Sequence, residues 1–100
     1  MAFSVRTTVG SDYVVDTFTI TATSSATAQR LQFSGKQITA FIMVIDEDDI
    51  EVRIVRAQGD TDYLPIKPGS PFSGNFGFGD TIGYAYVSSG TATIHVLISV

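Results

Sequence analysis

The chain has 100 residues, a formal net charge of −4, 44% hydrophobic and 16% charged residues, and no cysteine. That length supports one hydrophobic core and one domain, and the composition fits neither a disordered segment nor a charge-laced helical bundle. The missing cysteines exclude thiol catalysis, disulfides and zinc–thiolate sites, and the scattered Arg6, Arg30, Lys36, Arg53, Arg56 and Lys67 lack the clustering that nucleic-acid binders show.

The start, "MAFSVRTTVGSDYVV", has no basic region followed by an apolar one, so no secretory signal is expected. The longest apolar run, Ala40–Ile45, falls far short of the roughly 18–20 residues of a membrane helix. Neither a membrane nor a nucleic-acid partner is expected.

From the N-terminus the apolar period is 2. "FSVRTTV" sets Phe3, Val5, Thr7 and Val9 against Ser4, Arg6 and Thr8, and Gly10-Ser11-Asp12 is a turn signal. "YVVDTFTITA" sets Val14, Phe18, Ile20 and Ala22 against Tyr13, Val15, Thr17, Thr19 and Thr21. After the short segment "TAQRLQF", "QITAFIMVI" (Gln37–Ile45) is apolar on both faces, Ile38, Ala40, Ile42 and Val44 opposing Phe41, Met43 and Ile45. A strand of this kind is covered on both sides, by its own fold or by another chain.

"IEVRIVRA" follows the acidic "DEDD" and is expected as a hairpin partner. "DYLPIKPGSPF" carries Pro65, Pro68, Pro71 and Gly69. Prolines fix φ and withhold N–H groups, which suits an edge segment crossing between two sheets. Pro68-Gly69 predicts the centre of a type II turn, with Leu64, Ile66 and Phe72 as core anchors. "TIGYAYV" and "TATIHVLISV" are expected as a last pair joined through Ser88-Ser89-Gly90, with Ala92, Ile94, Val96, Ile98 and Val100 inward and Thr91, Thr93, His95, Leu97 and Ser99 outward. About eight short strands and no helix predict an all-β chain: a single antiparallel β-sandwich over residues 1–100, with jelly-roll or Greek-key connections.

Chemistry-bearing residues are sparse. His95, the only histidine, falls mid-strand on an outward face, a surface or interface position for which no base-orienting partner is evident. Asp46, Glu47, Asp48, Asp49 and Glu51 gather within "IDEDDIE" without the spacing of a calcium loop. They read as a solvated hairpin tip, with Asp46, Asp48 and Asp49 as the candidates for a weak cation site. "GNFGFGD" lacks the glycine and lysine spacing of phosphate loops. Phe72, Phe76, Phe78, Tyr84 and Tyr86 form the aromatic cluster; they close the end of the sandwich, or stack on sugars or a protein partner. Asn75 and Asp80 stand as polar neighbours for a sugar platform at Phe76 or Tyr84. No cofactor and no enzymatic activity are expected.

The segments "TITATSSATAQRL", "ITAFIMVI", "YLPIKPGSPF" and "IGYAYVSSGTATIHVLISV", spanning roughly residues 17–100, resemble in motif and order the small accessory virion proteins of tailed bacteriophages. The shared pattern reads T-x-T…A-x-x-L, an apolar strand, x-P-[IVL]-x-P-G-x-x-F and I-x-x-Y…S-G-T-A-x-[IV]-x-V. An acidic hairpin stands here where that plan usually has an Asn-rich turn. The resemblance implies a capsid decoration or cement protein that binds and reinforces the major capsid protein lattice, made in the host cytoplasm and placed on the capsid surface. Head–tail, tail or fibre components that bind a carbohydrate or receptor are the alternative. A homo-oligomer, dimer or trimer, is expected, with Phe41, Met43, Ile45, Phe76, Phe78 and Tyr84 as interface candidates and "SVRTT" as an arm that adds to a neighbour's sheet.

Overall fold

The computed structural model describes residues 13–46, 48, 50–74 and 79–100; the expected strand at Phe3–Val9 lies outside them. Eight strands follow in order: β1 (Tyr13–Ile20), β2 (Gln29–Gln32), β3 (Ala40–Ile45), β4 (Val52–Val55), β5 (Leu64–Ile66), β6 (Phe72–Gly74), β7 (Thr81–Val87) and β8 (Ala92–Ser99), with one short 3₁₀ turn at Ser25–Thr27. They build two antiparallel sheets, ordered β1-β8-β3-β6 and β2-β7-β4-β5. The outer pairs β1·β8, β2·β7, β3·β6 and β4·β5 are those of one long antiparallel ribbon rolled over itself, the jelly-roll form of a β-sandwich. No helix among the described residues is long and apolar enough to cross a membrane.

Two expected hairpins are not formed. β3 pairs with β6 and β8, while β4 pairs with β5 and β7 in the opposite sheet. β7 and β8 likewise lie in different sheets. Alternation states which side chains point inward, but strands on either side of one core carry the same signature, so a short connection can turn within a sheet or cross the core. Here both connections cross.

The core is the shared inner face. Ile20, Leu31, Met43, Ile45, Val52, Val87, Ile94, Val96 and Ile98 are all essentially inaccessible. The expected inward set of β8 is found, except that Val100 lies past the strand end and is exposed. Ile38 precedes β3, is buried, and bridges to Gly79. In β2·β7 the register slips between Arg30 and Gln32. The irregularity brings Ile82 against the core, although Tyr84 and Tyr86 on the same alternation pack with Ala28 and Val55 in a satellite cluster on the far side of the sheet. Gln29 ties the two sheets where the chain leaves β1: its Oε1 accepts from the amides of Thr21 (2.7 Å) and Ala22 (2.9 Å), and its Nε2 donates to the Thr19 carbonyl (2.8 Å).

The proline segment is the expected crossover. β5 and β6 are edge strands of opposite sheets, so Pro65 needs no outward N–H partner. Gly69 has φ +77° and Ser70 N donates to Lys67 O, which gives the Lys67–Ser70 turn its type II form. Ile66 is buried and Phe72 packs on the core, but Leu64 is exposed. Leu64 holds the inward register opposite Ile54, and only an open edge faces it. There an apolar cleft of about 260 Å³ is lined by Phe41, Met43, Ile54, Leu64, Phe72 and Ile82, among others.

Candidate functional site

The outer face of the β1-β8-β3-β6 sheet departs furthest from an ordinary wet surface. Register places Tyr13, Ser99 and Ala40 in one row, Val15, Leu97 and Ile42 in the next, and Thr17, His95 and Val44 in a third. Val15 is 67% exposed, Tyr13 46%, Ile42 45% and Leu97 36%. A solvated antiparallel face normally alternates with polar side chains, so an apolar row across three strands marks a contact surface. Two shallow concavities flank that row. One, of about 290 Å³, is lined by Val15, Val44, Pro71 and His95 with Ile42 and Leu97; the other, of about 310 Å³, by Tyr13, Ala40 and Ser99 with the same Ile42 and Leu97.

This placement corrects the interface set Phe41, Met43 and Ile45. All three point into the core, at 6%, 1% and 1% exposure, because β3 lies inside its sheet and its odd-numbered residues share the inner face with Val96 and Ile98. Phe41 packs its ring against Phe72 at 5.7 Å between centroids and over Gly74. The available face of β3 is the other one, carrying Ile42 and Val44. Tyr84 is half-buried over the β2-β7-β4-β5 sheet, packed against the Ala28, Val55 and Tyr86 cluster. Phe76 and Phe78 lie outside the described residues, as does Asn75.

His95 has partners that alternation did not show. Its Nε2 lies 2.5 Å from Asp46 Oδ1 and its Nδ1 3.3 Å from Thr17 Oγ1. With the proton on Nε2 the ring donates to Asp46 and accepts from the Thr17 hydroxyl. Hydroxyl, imidazole and carboxylate thus stand in the order used by acyl-transfer sites. The order alone is insufficient. The Thr17 amide, a potential oxyanion donor, is turned to Asp16 Oδ1 at 2.8 Å. The neighbouring concavity is lined by Val15 and His95 and not by Thr17. On an open sheet face the trio acts as a cross-strand clasp that fixes β1, β8 and the end of β3.

That clasp also disperses the acidic loop. Asp46 is engaged by His95, Glu51 lies 3.7 Å from both Arg53 and Lys67, Asp48 is exposed, and Glu47 and Asp49 lie outside the described residues. No group of three or more His, Asp or Glu side chains able to hold a metal gathers among the described residues. Asp80 is occupied too: Gln32 Nε2 donates to it at 2.9 Å, the Thr81 hydroxyl at 2.9 Å, and Arg30 stands at 3.4 Å. These contacts, the Gln32 hydrogen bond foremost, hold its carboxyl below the ordinary aspartate range.

An aromatic that the sequence reading passed over, Tyr63, is 42% exposed beneath the guanidinium of Arg53, 4.6 Å from the ring centroid, and edge-on to Tyr86. Beside it a polar concavity is lined by Arg56, Asp60, Thr61 and Asp62.

No family model matches the chain, and no match is found among the curated proteins or the solved structures.

Proposed function

We propose that this chain is a structural subunit of a tailed-phage particle, a decoration or cement protein that binds the major capsid protein lattice and acts through surface contacts. The observation that carries the reading is the uncharged apolar outer face around Val15, Leu97 and Ile42, larger in scope than scattered exposed apolar residues require. The order of short motifs between residues 17 and 100 supports the virion setting. The jelly-roll strand order suits it, because a rolled sandwich offers rigid faces and short edges. Weak contacts of this kind become firm when many copies engage one shell. Mass spectrometry of purified virions, with binding of the purified chain to undecorated capsids, tests the reading. It expects stoichiometric presence and saturable binding; absence from particles with no capsid affinity overturns it.

A tail or fibre module that binds a carbohydrate is the second reading, favoured by Tyr63 beside the polar concavity of Arg56, Asp60, Thr61 and Asp62. An exposed ring next to carboxylates offers stacking and hydroxyl acceptance together. Glycan-array binding lost in Tyr63→Ala supports that reading, and a blank array removes it.

A further inference from the structure

Of the four edge strands, β1 alone is long and regular. β6 has three residues and follows Pro71, β5 has three and contains Pro65, and β2 has four with a slipped register. β1 runs eight residues in unbroken register and holds no proline. Short, bulged or proline-bearing edges resist pairing, whereas a long regular edge invites it.

Hydrogen bonds fix which groups that edge offers. Asp46 N donates to Thr93 O and Thr39 N to Ser99 O, so odd-numbered residues of β8 turn their backbone groups to β3 and even-numbered ones to β1. By register, Val14, Asp16, Phe18 and Ile20 of β1 bond to β8, and Tyr13, Val15, Thr17 and Thr19 face the open side. Two of the outward groups are already engaged: the Thr19 carbonyl accepts from Gln29 Nε2 at 2.8 Å, and the Thr17 amide donates to Asp16 Oδ1 at 2.8 Å. The amides and carbonyls of Tyr13 and Val15 have no partner among the described residues. Gln29 thus ends the usable edge at Thr17, and Asp16 guards it. The Asp16 carboxylate is exposed and makes no ion pair among the described residues. A strand pairs along Tyr13–Thr17 only if Asp16 releases the Thr17 amide, and a cation opposite Asp16 draws it off.

We infer that the occupant of this edge is the chain's own segment Val5–Val9. Only Gly10-Ser11-Asp12 separates that segment from β1, and three residues is a common hairpin connection. Such a loop sets Val9 opposite Tyr13, Thr7 opposite Val15 and Val5 opposite Thr17, which matches the free edge from end to end. The same register sets Arg6, the only basic residue among the first twelve, opposite Asp16. That pair is of the non-hydrogen-bonded kind, in which side chains approach most closely. A slip of one residue would set Val5 or Thr7 there and leave Asp16 on the Thr17 amide. The inference is independent of what the outer face contacts.

Amide hydrogen exchange and nuclear Overhauser contacts in the full chain, with its mass by sedimentation, test the inference. The expected result is slowed exchange at Tyr13 and Val15 and an α-proton contact between Arg6 and Asp16, both at monomer mass. Arg6→Asp is expected to speed exchange at those two amides by about two- to fivefold, with the amides of β8 unchanged as the control for folding. Exchanging the charges, Arg6→Asp with Asp16→Arg, should restore the slow rate. Tyr13 and Val15 amides that exchange freely in the parent chain overturn the inference, and so does slowing that Arg6→Asp leaves intact. Slowing that appears only at dimer mass seats the segment on another copy and overturns it too.

Discussion

The amide of Gly69 donates to the carbonyl of Ile45 at 2.8 Å, joining the centre of the proline turn to the last residue of β3. The turn is therefore fastened to the sheet that its chain is about to enter at β6. Gly69 holds φ +77°, a region costing an L-residue roughly 1–2 kcal/mol and a β-branched one more. Gly69→Val is expected to lower stability by about 2 kcal/mol or more in urea unfolding. An unchanged midpoint would mean that the turn adapts without cost.

Adjacent residues of β3 should respond in opposite ways. Met43 is 1% exposed in the core and Ile42 is 45% exposed on the outer face. Met43→Ala is expected to cost about 2–4 kcal/mol through lost burial and an unfilled cavity. Ile42→Lys should stay within about 0.5 kcal/mol of the parent. Paired denaturant curves check this, and a large loss for Ile42→Lys would show that its face is covered within the monomer.

Gly74 is glycine because Phe41 occupies the place of its side chain. A Cβ there would lie 2.8 Å from Phe41 Cε1, closer than carbon atoms tolerate. Gly74→Ala is expected to cost roughly 1–3 kcal/mol by overpacking. A double-mutant cycle with Phe41→Leu should recover part of that loss, because the smaller side chain vacates the contact. Strict additivity would refute the link.

Acid should weaken the β2·β7 end of the sandwich through Asp80. Its carboxyl lies below the ordinary range because Gln32, then Thr81 and Arg30, favour the charged form. A carboxyl with a depressed folded-state pKa contributes stability that is present above its unfolded value, near about 3.9, and is lost as pH falls through the folded value. NMR titration of Asp80 should show the depression shrinking in Gln32→Leu. An unmoved titration would assign the effect to the other two contacts.

Much of the fold was legible because burial writes itself as alternation. Ala92, Ile94, Val96 and Ile98 against His95 and Leu97, and Val14, Phe18 and Ile20 against Tyr13 and Val15, hold the expected faces. Gly69 and its prolines announced the turn through backbone geometry alone. Strand partners were not legible: β3 and β4 look like a hairpin until the core between them is seen, since alternation is indifferent to which sheet a strand joins. Phe41, Met43 and Ile45 failed as interface candidates for a related reason. A strand apolar on both faces does not say which face is inner, and β3 buries Phe41, Met43 and Ile45. The signal for the outer patch was present in Val15 and Leu97, apolar residues at outward positions. Its continuity depended on the register that aligns them with Ile42. The Asp46–His95–Thr17 clasp was illegible, its members being far apart in the chain.

The decisive measurement compares the purified chain with its Ile42→Lys and Leu97→Lys variants for binding to undecorated capsids, beside mass spectrometry of intact virions. The chain is expected on virions in many copies, and both variants are expected to bind capsids more weakly while melting like the parent. Absence from virions, together with no capsid binding by the parent chain, would contradict it.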